Sequence, residues 1–259
     1  MWTGAACGGS TIDRTPVPEM ARIITFLLGI AIALAVPVVL TVNGLRLVTN
    51  DHYVRAVYEH GGVPEDRYGL SADERTRLAV AGLASIQPSS AAGIDVLRAA
   101  RLRNGEAAFN SRELAHMEDV RTLVARAYRL QVILVVAIGI LAVILGLLSS
   151  MRSLVPVALA RGAVLTVILA VAVAIVAATS YSSFETPFHT VFFDGESWRF
   201  AETDTLRRLY PDRFWLDTAV VIGGLAVLQA LVLFPLARLW AGRADARQAL
   251  RMRARTEST

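Results

Sequence analysis

The sequence predicts an all-α integral membrane protein, with four transmembrane helices and two extracytoplasmic loop regions, the second carrying a small β-hairpin signal. Three observations predict it. The chain of 259 residues is 54% apolar and only 19% charged, with a mean hydropathy of +0.50, more apolar and less charged than soluble domains are. The apolar residues gather into four uncharged stretches, each about 19–23 residues long, which at about 1.5 Å per residue crosses a hydrocarbon core of ~30 Å. Core helices of soluble proteins rarely run that far without a charged face. The arginines, finally, are distributed unevenly between the two sides of such a bundle.

Residues 1–19 are rich in Gly, Ser, Thr and Pro and read as a disordered tail. Cys7 stands among small residues, but no hydrophobic run precedes it, so it carries no lipidation signal; Met20 is a second candidate start. A transmembrane domain over about 20–240 follows. Its first span, about 23–45, is longer than a signal-peptide core and is not followed by a small-x-small cleavage site, so it is read as retained, with a kink expected at Pro37. In the first outer loop, about 48–129, Ser71 to Glu74 forms a capping box that opens a helix to about Ser85, and Gln87-Pro88-Ser-Ser ends the run. Asn110 to Glu113 is a second capping box. Nothing breaks the helix between it and Met151, so the second span, about 130–148, is expected to project outward by some five extra turns with His116 near its tip. Glu113, His116, Asp119 or Val120, and Leu123 recur at helical spacing.

The third span covers about 162–181. In the second outer loop, about 182–215, the alternation from Phe188 to Phe193 around Asp194-Gly195, followed by Ser197 to Phe200, gives the hairpin signal. Thr203 or Asp204 caps a short helix, and Pro211 suits the start of the helix that becomes the fourth span, about 218–237. Residues 241–259 form a basic tail. The link between the second and third spans carries Arg152 and Arg161 and no acid, and the tail after the fourth carries six arginines against Asp245 and Glu257. The first outer loop balances acids and arginines, and the second has six acids against four arginines. Positive-inside bias therefore assigns both termini to the cytoplasm and both large loops, with all four histidines, to the extracytoplasmic face of a multi-pass cell-membrane protein.

All 26 basic residues are arginine, which excludes lysine catalysis and a Walker-type phosphate lysine. One cysteine excludes an intrachain disulfide and a cysteine-based zinc ribbon. The glycine-rich nucleotide loops, H-E-x-x-H and G-x-S-x-G are all missing from the sequence. What remains is His116 with Asp119 on one helix, and His189 among Phe188, Phe192, Phe193 and Trp198. His52 and His60 are assigned no role, and Asp204 reads as a capping residue. The arginine tail reads as an anchor to anionic lipid. On the residues alone three classes stay open: a membrane acyltransferase, a metal-dependent membrane hydrolase with His116, Asp119 and His189 as ligands, and a non-enzymatic scaffold or transporter. The main polar residues inside the spans are Asn43 and Gln229, which gives a transport pathway little support.

Two stretches carry a family resemblance. Phe109-Asn-Ser-Arg-Glu-Leu-Ala-His116-Met-Glu-Asp119-Val-Arg121 resembles the first signature of the Lit-like family, the bacterial lipoprotein intramolecular transacylases and their relatives. Phe188-His189-Thr-Val-Phe-Phe193, Trp198-Arg-Phe200, Asp204, Leu206 and Tyr210-Pro211-Asp-Arg-Phe214-Trp215 resemble the second, and the four-span layout agrees over about residues 21–240. The resemblance implies transfer of the sn-2 acyl chain of a diacylglyceryl-cysteine lipoprotein to the α-amino group of that cysteine, giving a lyso-form lipoprotein. It implies His116 and His189 as the catalytic acid and base, Asp119 and Asp204 as supporting residues, and Phe188, Phe192 and Trp198 as contacts to substrate. The implied partners are diacylglyceryl lipoproteins and membrane lipid. It calls for no cofactor, metal or nucleic acid. Ester-to-amide transfer needs no nucleotide, and with donor and acceptor on one molecule the enzyme need only hold them in reacting geometry.

Overall fold

The computed structural model describes residues 19–60, 62–148, 151–179, 182–193 and 198–257, and the expected disordered tail thus falls almost wholly outside the described residues. The described helices, in chain order, are α1 (Glu19–Val48), α2 (Asp51–His60), α3 (Ala72–Ile86), α4 (Asp95–Ala99), α5 (Ser111–Leu147), α6 (Leu154–Thr179), α7 (Ser182–Phe192), α8 (Thr205–Leu209) and α9 (Asp212–Glu257). Four of them, α1, α5, α6 and α9, are long and apolar enough to cross a membrane. Pro37 lies within α1, which continues through it. The basic residues after the fourth span extend α9 as helix to Glu257.

Helices α1, α6 and α9 form the packed centre of the bundle, and α5 lies against its side. Small residues let the central helices approach, as they must where lipid supplies no hydrophobic drive for helix association. Ala163, Ala226 and Ala230 pack against Val36 and Leu40, and Ala158 and Val155 against Ile32 and Leu145. Gly162 marks the closest approach: a Cβ built there falls 2.6 Å from the Val36 Cβ and 2.9 Å from the Ala33 carbonyl oxygen.

Polar side chains tie the peripheral α5 to this centre. Asn43 Nδ2 donates to Gln229 Oε1 at 2.8 Å, and Gln131 Nε2 donates to Asn43 Oδ1 and to the Val39 carbonyl. Arg46 Nε donates to Gln131 Oε1 at 2.6 Å, while its guanidinium lies 3.8 Å from the centre of the Tyr128 ring. Three helices are thereby joined at one level.

Outside the bundle, α3, α4 and α8 cover the tip of α5 and share a core in which Leu78, Leu97 and Leu209 are fully buried beside Phe109 and Met117, and α2 packs against α3. The Asn110–Glu113 box caps α5 reciprocally, whereas at α3 only half of the expected box forms: Ser71 Oγ accepts from the Glu74 amide, but the Glu74 carboxylate turns away to accept from the Arg103 amide at 2.9 Å. The break at Gln87-Pro88 leaves carbonyls with no helical partner, and Arg121 of α5 satisfies three of them, donating to Ser85, Gln87 and Ser90 at 2.8–3.0 Å. Asp66 and Arg208 form a bidentate pair at 2.9–3.0 Å, nearly out of reach of solvent. Burial alone would raise the Asp66 carboxyl, but Arg208 and the Leu70 and Tyr68 amides hold it down to about 2.

The hairpin expected over the second outer loop is not what the described residues form: 188–192 belong to α7, and its turn at 194–197 lies outside them. A helix puts His189 and Phe193, four apart, on one face, and Thr190 Oγ1 returns a bond to the Thr186 carbonyl. A strand would have separated those contacts. Replacing Gly162 by alanine is expected to force α1 and α6 apart and to lower the melting temperature in detergent, at a cost of about 1–3 kcal/mol. Gly139→Ala, whose new methyl meets open space, is the control that leaves it unchanged or higher.

Candidate active site

The site is assembled from the tip of α5, the last turn of α7 and the segment that follows it. Asn110 caps α5 by accepting from the Glu113 amide, and Glu113 Oε2 returns the bond from the Asn110 amide at 2.8 Å. The same carboxylate reaches across to α8, where its Oε1 accepts from the Leu206 amide at 2.7 Å. Glu113 is 1% exposed. Burial pushes its carboxyl up, with the two amides pulling the other way. The Asp204 carboxylate, at the N-cap of α8, does not bond its own helix. It accepts instead from Asn110 Nδ2 at 3.1 Å, from Arg112 at 2.6 Å and from the Ala201 amide at 2.8 Å. Two acids thus lock residues 201–206 onto the start of α5.

One helical turn beyond Glu113 lies His116, buried and about 14 residues, or ~21 Å of helix, before the apolar stretch that begins at Leu130. Aromatic rings enclose it. The Phe193 ring centre is 5.0 Å away, and Phe200 meets it edge-on at 5.3 Å. The His189 imidazole stands at 6.1 Å, although 73 positions away in sequence. His189, in the last turn of α7, stacks on Trp198 at 4.5 Å with the planes 19° apart. Burial, and secondarily the His189 charge, hold the His116 imidazole down to about 4, so it is neutral at physiological pH. Its Nδ1 is buried with no hydrogen-bond partner, and the buried Trp198 Nε1 has none either. Buried polar atoms are nearly always paired, so two orphans in one cup are open positions for a ligand.

The structure does not bring every expected residue to this point. Asp119 is exposed and makes no hydrogen bond to His116. At about 100° per residue, Glu113 and Asp119 lie on opposite sides of His116, about 120° apart, and the outer layer covers only the Glu113 side. Asp119, His116 and His189 therefore do not form a metal-ligand set, and among the described residues no group of three His, Cys, Asp or Glu side chains does. Trp198 is in the cup, as a stacking partner of His189. Phe192 is half-exposed on α7, and the Phe188 side chain lies outside the described residues. His52 and His60 are exposed on α2, away from the cup. Of the rings that seal His116, Phe193 is expected only as a neighbour of His189 and Phe200 only as part of the second signature; neither is assigned a role there. Glu113 was visible only as a capping residue.

The class so defined is a four-span helical membrane protein with two imidazoles gathered in an aromatic cup at one end of its bundle. The chain belongs to the lipoprotein intramolecular transacylase Lit family, whose model matches residues 23–215, and it is a transacylase of that class. An uncharacterised protein of Aquifex aeolicus (strain VF5) is 32% identical to it over 194 residues, covering 73% of this chain and 83% of that one. The in meso structure of the membrane integral lipoprotein intramolecular transacylase Lit from Bacillus cereus shares its fold, with a TM-score of 0.65 at 16% identity over 89% of this chain and all of the other. A structure of that protein with one histidine changed to arginine matches with a TM-score of 0.60 at 16% identity, over 88% of this chain and 95% of the other.

Glu113→Ala leaves the Asn110 and Leu206 amides without their acceptor. Each buried unsatisfied donor costs about 1–3 kcal/mol, so the variant is expected to unfold at clearly lower temperature, whereas Asp119→Ala matches the parent. Equal melting temperatures for Glu113→Ala and the parent would remove Glu113 from its joining role.

Proposed function

We propose that the chain moves the sn-2 acyl group of a diacylglyceryl-cysteine lipoprotein to the α-amino group of the same cysteine, with His116 as base. The neutral, buried imidazole with a free Nδ1, facing a second imidazole, is the observation that carries this reading. The amine nitrogen attacks the ester carbonyl, and His116 takes the proton that nitrogen loses. An imidazolium in an apolar cup is a stronger acid than one in water, so it readily passes that proton to the glycerol oxygen as the C–O bond breaks. His189, beside Trp198, donates to the carbonyl oxygen while it carries negative charge. One ester is consumed and one amide formed, and the proton moves from nitrogen to oxygen, leaving an N-acyl, S-monoacylglyceryl product.

The arginine asymmetry supports an orientation with both termini in the cytoplasm and the cup at the extracytoplasmic face. A diacylglyceryl anchor in that leaflet would enter laterally along the bundle. Trp198, together with Phe188 and Phe192 on α7, is assigned to acyl chain or glycerol, and the Phe192 exposure suits that role.

Expressed in a bacterium with diacylated lipoproteins, the protein is expected to generate the lyso form, read by mass spectrometry of the N-terminal lipopeptide. His116→Ala and His189→Ala should each lower conversion by about 10²–10⁴-fold, while His52→Ala, His60→Ala and Asp119→Ala leave it largely intact. Full conversion by both histidine variants would refute the mechanism. The substrate amine, with a reference pKa near ~8, must be neutral to attack. The rate is therefore expected to rise with pH towards about 8, with no inflection from His116 above pH 5, because that imidazole is already unprotonated there.

A further inference from the structure

At the end of the bundle opposite the histidines, a cavity of about 510 Å³ opens between the end of α5, the start of the turn region before α6, and α9. Its lining is Gly146, Arg152, Trp240, Arg243, Ala244 and Arg247. Trp240, Arg243, Ala244 and Arg247 follow at i, i+3, i+4 and i+7 and so share one face of α9. Arg152 reaches the same space from the other side. The cavity has three guanidiniums and no acid: Asp245 is two positions from both Arg243 and Arg247, about 200° around the helix from each.

Several arginines of the outer layer are paired. Arg112, Arg208 and Arg213 each face a carboxylate, and Arg121 holds three carbonyls. Among the described residues Arg152, Arg243 and Arg247 have neither a hydrogen-bond nor an ion-pair partner, and Arg152 Nε is buried without one. A buried unpaired donor and like charges four apart on a helix are both unfavourable. An anion with several acceptor oxygens in the cavity would relieve both. Gly146 lines an open side of the cavity, with nothing within 4 Å of where its Cβ would stand. Trp240, half-exposed, stands where an aromatic residue marks a membrane boundary, and Leu147 and Leu239 beside the opening are exposed.

We propose that this cavity binds a phosphate group, carried by an anionic phospholipid headgroup or by free phosphate. A glycerophosphate headgroup fits the volume, its oxygens match three guanidinium forks, and its acyl chains would lie along the exposed leucines. The site stands apart from the histidine cup and does not depend on the reaction proposed for it.

The test is the melting temperature of protein delipidated in neutral detergent, with added phosphatidylglycerol, phosphatidylcholine or inorganic phosphate. Phosphatidylglycerol is expected to raise it and phosphatidylcholine to leave it unchanged, because no acid in the cavity meets the choline. Changing Arg152, Arg243 and Arg247 together to Gln should weaken the apparent affinity about 100-fold, at about 1 kcal/mol per charge. Arg152→Gln alone, about fivefold weaker, serves if the triple variant does not fold, and Arg253→Gln should match the parent. A shift with inorganic phosphate alone identifies free phosphate as the occupant, and a shift with phosphatidylglycerol only identifies the lipid. No shift with either, equal shifts with both lipids, or an affinity untouched by the arginine changes overturns the proposal.

Discussion

The shared carboxylate of Glu113 is the joint on which the site depends. It closes the cap of α5 and, with its other oxygen, holds the first turn of α8. Helix α8 is five residues long, too short to be stable by itself. The segment before it, with Trp198 and Phe200, owes its position to this tie, to Asp204 and to the apolar core around Leu209. His116 follows Glu113 by three residues on the same helix, so whatever fixes the carboxylate also sets the depth of the imidazole. The aromatic cup, the depressed imidazole and its orphan Nδ1 are consequences of closing that layer over the α5 tip.

A second constraint acts from within the membrane. Lipid tails are as apolar as the leucines and valines they meet, so α5 gains little from burying its apolar faces. Its position beside α1 comes from Gln131, Asn43, Gln229 and Arg46, which join three helices by hydrogen bonds at one level. Because α5 continues unbroken from that level to His116, the buried amide network and the outer carboxylate secure one rigid rod at two heights. The second imidazole arrives on α7, at the far end of α6. Two helices from different parts of the bundle thus present the two histidines, and neither signature segment forms the site alone.

Much of this was legible where the information is local. Four apolar lengths set the spans, and the N-cap residues Ser71 and Asn110 set the starts of α3 and α5. The lack of any breaker before Met151 signalled the long α5 that carries His116 outward. Tertiary packing decided the rest. The aromatic run 188–193 has strand composition and precedes Asp194-Gly195, yet its partners, His116 and Trp198, reward the helical period that puts His189 and Phe193 together. Spacing allowed Asp119 as a partner for His116, but only the fold shows that the outer layer covers the opposite side, where Glu113 sits. Gln131, one position inside an apolar run, gave no hint that it binds Asn43 from another helix. Arg121 stood in a signature with no visible task, because the carbonyls it satisfies are exposed by a proline break more than thirty residues earlier.

The most direct test is a titration of ¹⁵N-imidazole-labelled protein followed by NMR, with the His116 signal identified by its loss in His116→Gln. The expected result is an imidazole that stays neutral down to about pH 4 and moves back towards the ordinary value near ~6.5 in Glu113→Ala, where the cup is opened. A His116 that titrates at or above the ordinary value in the intact protein would contradict the buried neutral base, and with it the way the fold has been tied to the chemistry.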